Sequence, residues 1–210
     1  MLWLLDLDGV VWLSGRPIPG SPDAIARLRA AGERVAFVTN NSGPTVADHV
    51  AALRAAGVDA KADEVLTSGH AAADLLAPGA SACVLGGPGI VEALQQRDVA
   101  IVPFGTKRSG TKAPDAVVVG RTTAFDYDVL AAASSAIRAG ARFVATNTDA
   151  TMPTPDGPVP GAGAIVAFIQ VASGCEPEVA GKPYAPAAAF VLRRLGPVGV
   201  VVGDRPDTDG

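Results

Sequence analysis

Two aspartates lie one residue apart directly after the first apolar stretch of the chain. Asp6 and Asp8 follow the run from Leu2 to Leu5 and precede Gly9. Side chains two residues apart in a strand point to the same side, so both carboxylates would emerge together at the carboxyl end of that strand. Ligands bind at this end of the strands in open α/β sheets. Because two like charges at close range repel each other, the pair predicts a bound cation or a shifted pKa, unless it is an acidic turn facing water.

A second acidic cluster follows the apolar run from Val198 to Val202. It contains Asp204, Asp207 and Asp209. If its strand is parallel to the first, these carboxylates emerge at the same sheet edge as Asp6. Hard oxygen ligands from separate loops, with no His or Cys among them, suit Mg²⁺, and the spacing does not match the calcium loop of an EF-hand. Taken alone, the cluster is equally consistent with a solvated turn.

Hydroxyl and amide side chains follow a third apolar run, from Val35 to Val38. They are Thr39, Asn40, Asn41 and Ser42. Such groups at a strand-to-helix turn can hold phosphate oxygens, although a polar turn without a ligand explains them equally well. Lys182 supplies an isolated cation further along the chain. It does not belong to a Walker A loop, because Pro183 stands where that motif has Ser or Thr.

The elements that must position these residues alternate along almost the whole chain. Apolar runs predict strands at Leu2–Leu5, Val35–Val38, Glu64–Thr67, Ala82–Leu85, Ala116–Val119, Arg142–Ala145 and Val198–Val202, with a further short one at Ile101–Val102. Most are continuous rather than alternating, which is typical of parallel strands covered on both faces. Alanine-rich helical stretches separate them, so we expect βαβ units and a parallel α/β sheet.

Helix ends and domain organisation can also be predicted. Ser21 before Pro22 predicts an N-cap, and Thr45 with Asp48 approximates a capping box. The strand–helix alternation loosens in the middle of the chain, where segments rich in proline and glycine interrupt it. We therefore expect a core of residues 1–78 and 180–210, with residues 79–179 inserted as a second α/β unit.

Composition excludes several classes of protein. The 210 residues are 49% hydrophobic and 18% charged, far from the composition of disordered chains. The net charge of −4 argues against a nucleic-acid partner. No run approaches the roughly 18 apolar residues of a membrane span, and the first residues lack the basic start of a signal peptide. Two cysteines, Cys83 and Cys175, make no disulfide framework. A cytoplasmic protein without a membrane partner is expected.

The histidines and tryptophans lie outside the acidic and polar segments or beside them. His49 and His70 fall on or next to predicted helices, where surface or helix-end positions are expected. Trp3 and Trp12 flank the first aspartate pair and are expected to be packing residues rather than platforms for a substrate.

Four segments, taken in order, resemble the four motifs of the haloacid dehalogenase superfamily, and in particular its class IIA phosphatases. They are Asp6-Leu7-Asp8-Gly9-Val10-Val11, Phe37-Val38-Thr39-Asn40-Asn41-Ser42, Gly181-Lys182-Pro183 and Gly203-Asp204-Arg205-Pro206-Asp207-Thr208-Asp209. The resemblance covers essentially the whole chain. It implies a Rossmann-like parallel-sheet core with an inserted C2-type cap, the unit expected at 79–179. Members of the family continue for some tens of residues beyond the fourth motif, so a core truncated at the C-terminus is expected.

The resemblance also implies roles for the acidic residues. Asp6 would be the nucleophile that forms an aspartyl-phosphate, and Asp8 the general acid and base. Mg²⁺ would be held by the Asp6 carboxylate, the Asp8 backbone carbonyl and Asp204. Asp209, and also Asp207, would orient the ion without binding it directly.

Further roles concern the substrate. Lys182 would place a positive charge beside the phosphoryl group and Asp6. The other expected substrate-binding residues are Thr39, Asn40, Asn41, Asn147 and Asp149. The last two belong to the cap, and an ordinary turn is the alternative interpretation for them.

The predicted function is Mg²⁺-dependent hydrolysis of small-molecule phosphate monoesters. Sugar phosphates, glycerol phosphate, phosphoglycolate, nucleotide monophosphates and 4-nitrophenyl phosphate are the candidate substrates. Two alternatives stay open: a phosphotransferase that uses the same intermediate, and a truncated, non-catalytic module that binds a phosphate ligand. A homodimer formed through the cap is a further expectation.

Overall fold

The structure, a computed structural model, describes residues 1–13, 15–105, 113–154 and 156–209. Its first sheet is parallel and has the order β13 (Val200–Val202), β1 (Leu2–Leu5), β4 (Arg34–Thr39) and β5 (Val65–Thr67). Leu4 lies opposite Val201 on one side and Ala36 on the other. The segments that follow β1, β4 and β13 therefore leave the sheet at one edge, as expected for the aspartates.

The second sheet is also parallel. Its strand order is β12 (Glu178–Val179), β9 (Arg142–Ala145), β8 (Ala116–Val119), β6 (Ser81–Leu85) and β7 (Ala100–Ile101). The remaining strands of the described residues form two small antiparallel pairs, β2 (Trp12–Leu13) with β3 (Arg16–Pro17) and β10 (Thr151–Met152) with β11 (Val159–Pro160). All four residues of β8 are buried, which explains its uninterrupted apolar sequence.

Helices cover the sheets. They are α1 (Ser21–Ala30), α2 (Val46–Ala55), α3 (Ser68–Asp74), α4 (Pro88–Gln96), α5 (Tyr127–Arg138), α6 (Ala162–Ser173), α7 (Ala185–Leu195) and α8 (Pro206–Asp209), with a short 3₁₀ helix at Ala62–Glu64. None of the helices in the described residues is long and apolar enough to cross a membrane. Phe37, Leu7 and Leu53 are fully buried in the core of the first sheet, while Val118, Ile90 and Ala72 pack together between α3, α4 and the second sheet.

The α/β architecture with parallel sheets is as predicted, and the differences are local. The strand expected from Val198 begins at Val200, and the one expected from Glu64 begins at Val65. Ser21 is not the N-cap of α1: Gly20 takes that position in a left-handed conformation, while the Ser21 hydroxyl donates to the Val10 carbonyl at 2.5 Å. The predicted capping box of α2 is present.

The predicted division of the chain into a core and an inserted unit assigns one parallel sheet to each part. Strands β6 to β9 and β12 lie within residues 79–179, and β1, β4, β5 and β13 lie outside that range. The boundaries themselves remain a prediction. Gly210, the last residue of the predicted core, lies outside the described residues.

Candidate active site

The turn after β1 holds Asp6 in a buried position. Asp6 is 8% exposed, its backbone N–H donates to the Val202 carbonyl at 2.9 Å, and its Oδ1 accepts the N–H of Leu7 at 2.8 Å. Gly9 follows with φ +83°, and a Cβ there would lie 2.2 Å from Oδ2 of Asp204. The glycine therefore lets the turn after β1 approach the loop after β13 at van der Waals distance.

Three carboxylates meet where these two loops approach. One oxygen from each of Asp6, Asp204 and Asp209 lies within 4.8 Å of the others. Burial, opposed by Lys182 and the Leu7 N–H and helped by the nearby Asp209, raises the pKa of Asp6 to about 6. Three oxygen donors that repel one another and include a buried group fit a hard divalent cation such as Mg²⁺.

Lys182 lies directly against this cluster. Its Nζ is 3.1 Å from Oδ1 of Asp6 and hydrogen-bonds to Asp209. A Cβ on the preceding Gly181 would be 2.3 Å from the Thr146 carbonyl oxygen, so a glycine is required for this close approach. The predicted association of Lys182 with Asp6 is therefore seen as an ion pair, and Asp209 shares the same cation.

Asp8 lines the same cavity as Asp6 and Asp204 but does not belong to the group of three clustered carboxylates. Its Oδ1 accepts the indole N–H of Trp12 at 3.0 Å. Burial raises the pKa of Asp8, while the Trp12 hydrogen bond and the neighbouring His49 act to lower it. A carboxyl with a raised pKa holds its proton closer to neutral pH, as a general acid must. Trp12 is thus more than the packing residue that its sequence context predicts.

His49 was expected at the surface or at a helix end; it lies in the first turn of α2, but it is buried and not at the surface. It lies on the inner face of α2, 4% exposed, with Nε2 3.1 Å from the Asn41 carbonyl oxygen. Burial lowers its pKa, which favours the neutral ring. His70 lies in the first turn of α3, as a helix-end residue, and its ring stacks on Phe190. Helical periodicity in α2 is the sequence signal for the burial of His49, since Val50 and Leu53 share its buried face.

Asn40 connects three loops through its side chain and its carbonyl group. Its Oδ1 accepts the Lys182 N–H at 2.9 Å, and its Nδ2 donates to the Lys182 carbonyl at 3.0 Å and to Oδ2 of Asp149 at 3.1 Å. Its backbone oxygen accepts from Ser68 Oγ and Asn147 Nδ2, each at 2.7 Å. The Asn40 amide is therefore occupied in positioning its neighbours, while its backbone N–H has no hydrogen-bond partner among the described residues.

The remaining predicted residues lie around the same loops. Thr39 Oγ1 accepts the N–H of Asn41 at 3.0 Å, so the polar segment folds back on itself. Oδ1 of Asp149 is 3.4 Å from Nη2 of Arg205, and its backbone N–H donates to Asn147 Oδ1 at 3.1 Å. The hydrogen bond from the Asp149 N–H to Asn147 Oδ1 is that of an ordinary Asx turn. The side chains of Asn147 and Asp149 also contact Asn40 in the loop after β4.

A cavity of about 140 Å³ lies at the centre of these groups. The predicted residues that line it are Asp6, Asp8, Thr39, Asn40, Asn41, Asn147, Asp149 and Asp204, joined by Leu13, Arg121, Met152, Pro153 and Arg205 among others. A space of this size suits a small molecule. A larger groove of about 660 Å³, between α2, α4 and α7, contains none of the predicted site residues.

A parallel α/β sheet that carries clustered aspartates and a lysine at one edge is the arrangement of the haloacid dehalogenase-like hydrolases. Residues 3–100 match the model of that family. The D-glycerol 3-phosphate phosphatase of Mycobacterium tuberculosis is 41% identical, over 98% of this chain and 58% of its own length. The acid sugar phosphatase of Staphylococcus aureus is 36% identical, over 99% of this chain and 80% of its own length. The chain belongs to this family, and the resemblance seen in its four motifs is confirmed.

Solved structures agree with this assignment. A hypothetical protein of Pyrococcus horikoshii OT3 has a TM-score of 0.91 at 36% identity, covering 99% of this chain and 82% of that one. The glycerol phosphate phosphatase of M. tuberculosis, solved in complex with magnesium, has a TM-score of 0.89 at 37% identity, covering 99% of this chain and 62% of that one. The predicted Mg²⁺ cofactor agrees with that complex. The chain thus spans about three fifths of the mycobacterial enzyme.

Proposed function

We propose that this chain hydrolyses phosphate monoesters of small molecules through an aspartyl-phosphate on Asp6. The observation that carries the proposal is the buried Asp6 carboxylate, which lies 3.1 Å from the Lys182 ammonium group and next to the carboxylates of Asp204 and Asp209. A nucleophile of this kind needs positive charge around it before it can approach a phosphate dianion.

In the first step an Asp6 carboxylate oxygen attacks phosphorus, and the bond from phosphorus to the ester oxygen breaks. The Leu7 N–H and Lys182 hold Asp6 in place, and the lysine charge offsets the repulsion between the carboxylate and the phosphoryl oxygens. The leaving oxygen takes its proton from Asp8. In the second step Asp8, now ionised, removes a proton from water, which attacks the aspartyl-phosphate and releases inorganic phosphate and the Asp6 carboxylate.

The metal site in this proposal consists of Asp6, Asp204 and Asp209, with the Asp8 backbone carbonyl as a further oxygen donor. When bound there, Mg²⁺ supplies positive charge that neutralises the phosphoryl oxygens. Asp209 also hydrogen-bonds Lys182, so it connects the metal site to the second cation. Thr39, the backbone of Asn40, and Asn41 face the same cavity, where their donors would meet phosphoryl oxygens.

The proposed substrates are esters small enough to enter a cavity of about 140 Å³. The names of two relatives, a D-glycerol 3-phosphate phosphatase and an acid sugar phosphatase, support substrates with a short polyol or sugar as leaving group. Asn147 and Asp149 are proposed to border the leaving group. Asn147 is held there by its hydrogen bond to the Asn40 carbonyl, and Asp149 by its ion pair with Arg205.

The function is tested with a panel of small phosphate esters and a measurement of phosphate release. We expect turnover that EDTA removes and Mg²⁺ restores, and none in the Asp6→Asn protein. Transfer of the phosphoryl group to an added alcohol in preference to water would instead identify a phosphotransferase. Binding of Mg²⁺ and an ester without any turnover would identify a binding module.

We also propose a cytoplasmic location and a homodimer formed through residues 79–179. The two free thiols, Cys83 and Cys175, support a reducing compartment. Helix α6 supports the dimer: it carries no charged side chain, and Phe168 and Val171 are 43% and 85% exposed. Sedimentation equilibrium would test the dimer, and a monomer at micromolar concentration would contradict it.

A further inference from the structure

The charged side chains that line the active-site cavity are not evenly paired. Two arginines, Arg121 and Arg205, line it together with four aspartates. Arg205 is engaged by Asp149, with Nη2 and Oδ1 3.4 Å apart. In the part of the chain that the structure describes, the Arg121 side chain has neither an ion pair nor a hydrogen bond, although it lines the same cavity.

The position of Arg121 is fixed by the residue before it. Strand β8 ends at Val119, and the Gly120 N–H donates to the Leu85 carbonyl at 2.9 Å. A Cβ on Gly120 would lie 2.7 Å from Thr146 Oγ1 and 3.1 Å from Ser42 Oγ. The chain at Gly120 is therefore pressed against two hydroxyls that are themselves hydrogen-bonded at 2.9 Å, so Arg121 belongs to a constrained wall of the cavity.

A half-buried guanidinium without a partner suits an anionic ligand. Its planar fork of N–H groups matches a carboxylate or a phosphate, and these charged hydrogen bonds are stronger than neutral ones. Lys182 and the proposed metal ion already supply positive charge next to the transferred phosphoryl group. The charge of Arg121 is therefore available for a second anionic group in the same substrate.

Resting on the proposed function, we infer that Arg121 selects phosphate esters whose leaving group carries an anionic oxygen group, a carboxylate or a second phosphate. Esters of neutral alcohols bind to the same catalytic residues but leave Arg121 without a partner. The inference adds a requirement to the small leaving group proposed above, which would be the carboxylate or phosphate form of a short polyol or sugar and not the neutral alcohol.

The experiment compares two substrates that share a three-carbon skeleton. 3-Phosphoglycerate carries a carboxylate where glycerol 3-phosphate carries a hydroxymethyl group. In the parent protein we expect a higher kcat/KM for 3-phosphoglycerate than for glycerol 3-phosphate. In the Arg121→Gln protein the ratio of kcat/KM for 3-phosphoglycerate to that for glycerol 3-phosphate should fall by about 10-fold or more, mainly because KM for 3-phosphoglycerate rises. Arg121→Lys should recover part of the ratio because it keeps the charge. Propane-1,3-diol bisphosphate, compared in the same way, tells whether a second phosphate or a carboxylate is preferred.

The matched control is Arg27→Gln, which removes the same charge from the exposed face of α1 and should keep the ratio of the parent protein. An unchanged ratio in Arg121→Gln, or an equal loss on both esters, would overturn the inference. Failure of the parent protein to hydrolyse any ester would count against the proposed function instead. In that event calorimetric binding of the two esters to the Asp6→Asn protein with Mg²⁺ measures the same ratio, and equal affinities would overturn the inference.

Discussion

Asp8 exchanges a proton twice in the proposed reaction, so its immediate surroundings control the pH range of activity. Burial raises the pKa of its carboxyl, and the indole N–H of Trp12, 3.0 Å from Oδ1, partly opposes this by stabilising the ionised form. The acid form must be present when the leaving oxygen departs. Activity should therefore fall as the pH rises through the pKa of Asp8.

Trp12→Phe removes the hydrogen bond and keeps most of the apolar contact. The pKa of Asp8 should then rise further, the acid form should persist to higher pH, and the alkaline limb of kcat/KM should move upward. Trp3→Phe is the matched control, because the Trp3 indole nitrogen is buried with no hydrogen-bond partner among the described residues. A pH profile measured for both variants decides the point, and an alkaline limb in Trp12→Phe that stays in place or moves downward would contradict it.

For individual residues of the site, the sequence predicts which charged groups meet better than it predicts the hydrogen bonds between side chains. The meeting of Asp6 with Asp204 could be expected, because both follow apolar runs that become neighbouring parallel strands. The contacts of Asn40 with Lys182 and Asp149 could not, since they join residues more than 100 positions apart. A short amide side chain is equally suited to a ligand or to a structural bond, and only the fold decides between them.

Two loops bring the metal-binding carboxylates together, and a glycine permits their approach. Gly9 lies after β1 with φ +83°, and any side chain there would collide with the Asp204 carboxylate of the loop after β13. The geometry of the candidate metal site thus depends on the packing of two loops as much as on the aspartates themselves.

Gly9→Ala should displace Asp204 and weaken Mg²⁺ binding. We expect the Mg²⁺ concentration for half-maximal activity to rise by about tenfold or more, which corresponds to the loss of one charged interaction. Gly32→Ala controls for the backbone, because Gly32 has φ +77° but nothing within 4 Å of its Cβ position. That variant should lose about 1 kcal/mol of stability and keep the Mg²⁺ dependence of the parent protein. Equal Mg²⁺ dependence in the two variants would refute the argument.

Strands and helices are largely predictable from the sequence in this chain. Continuous apolar runs such as Ala116–Val119 are buried on both faces and match their strands. The start of α1 was predicted wrongly: Ser21 is already the first helical residue, and Gly20 before it takes the N-cap position in a left-handed conformation that glycine adopts without strain. Ser21 instead uses its hydroxyl to bond Val10, a contact eleven residues back in the chain that a local capping pattern does not contain.

The two sheets are connected across the cavity by polar contacts. Asn40 of the first sheet's loop reaches Asp149 and Asn147, and Ser42 Oγ is 2.9 Å from Thr146 Oγ1. These bonds set the position of residues 146–149 relative to the catalytic aspartates. The sequence pattern predicts that two α/β units exist, but the way they meet depends on individual side chains.

The coupling between the two units is measurable by a double-mutant cycle. Asn40→Ala and Asp149→Ala each remove one side of the same hydrogen bond, so their effects on the free energy of unfolding should fall short of additivity by about 1 kcal/mol. Asp149→Ala combined with Gln95→Ala, on the exposed side of α4, should be additive. Additive urea-denaturation energies for the first pair would show that the contact does not couple the units.

The whole molecule is acidic, with a net charge of −4, yet it is proposed to act on anionic esters. Lys182, the proposed Mg²⁺ and Arg121 provide the local positive charge that makes this possible. The phosphoryl group itself is proposed to be carried by Asp6 during turnover.

Rapid quenching of the protein with 4-nitrophenyl phosphate and Mg²⁺, followed by mass spectrometry of the peptides, tests that claim directly. We expect one added phosphoryl group on the peptide that contains Asp6, formed before steady state and absent from the Asp6→Asn protein. A phosphoryl group on any other residue, or turnover by Asp6→Asn at the parent rate, would contradict it.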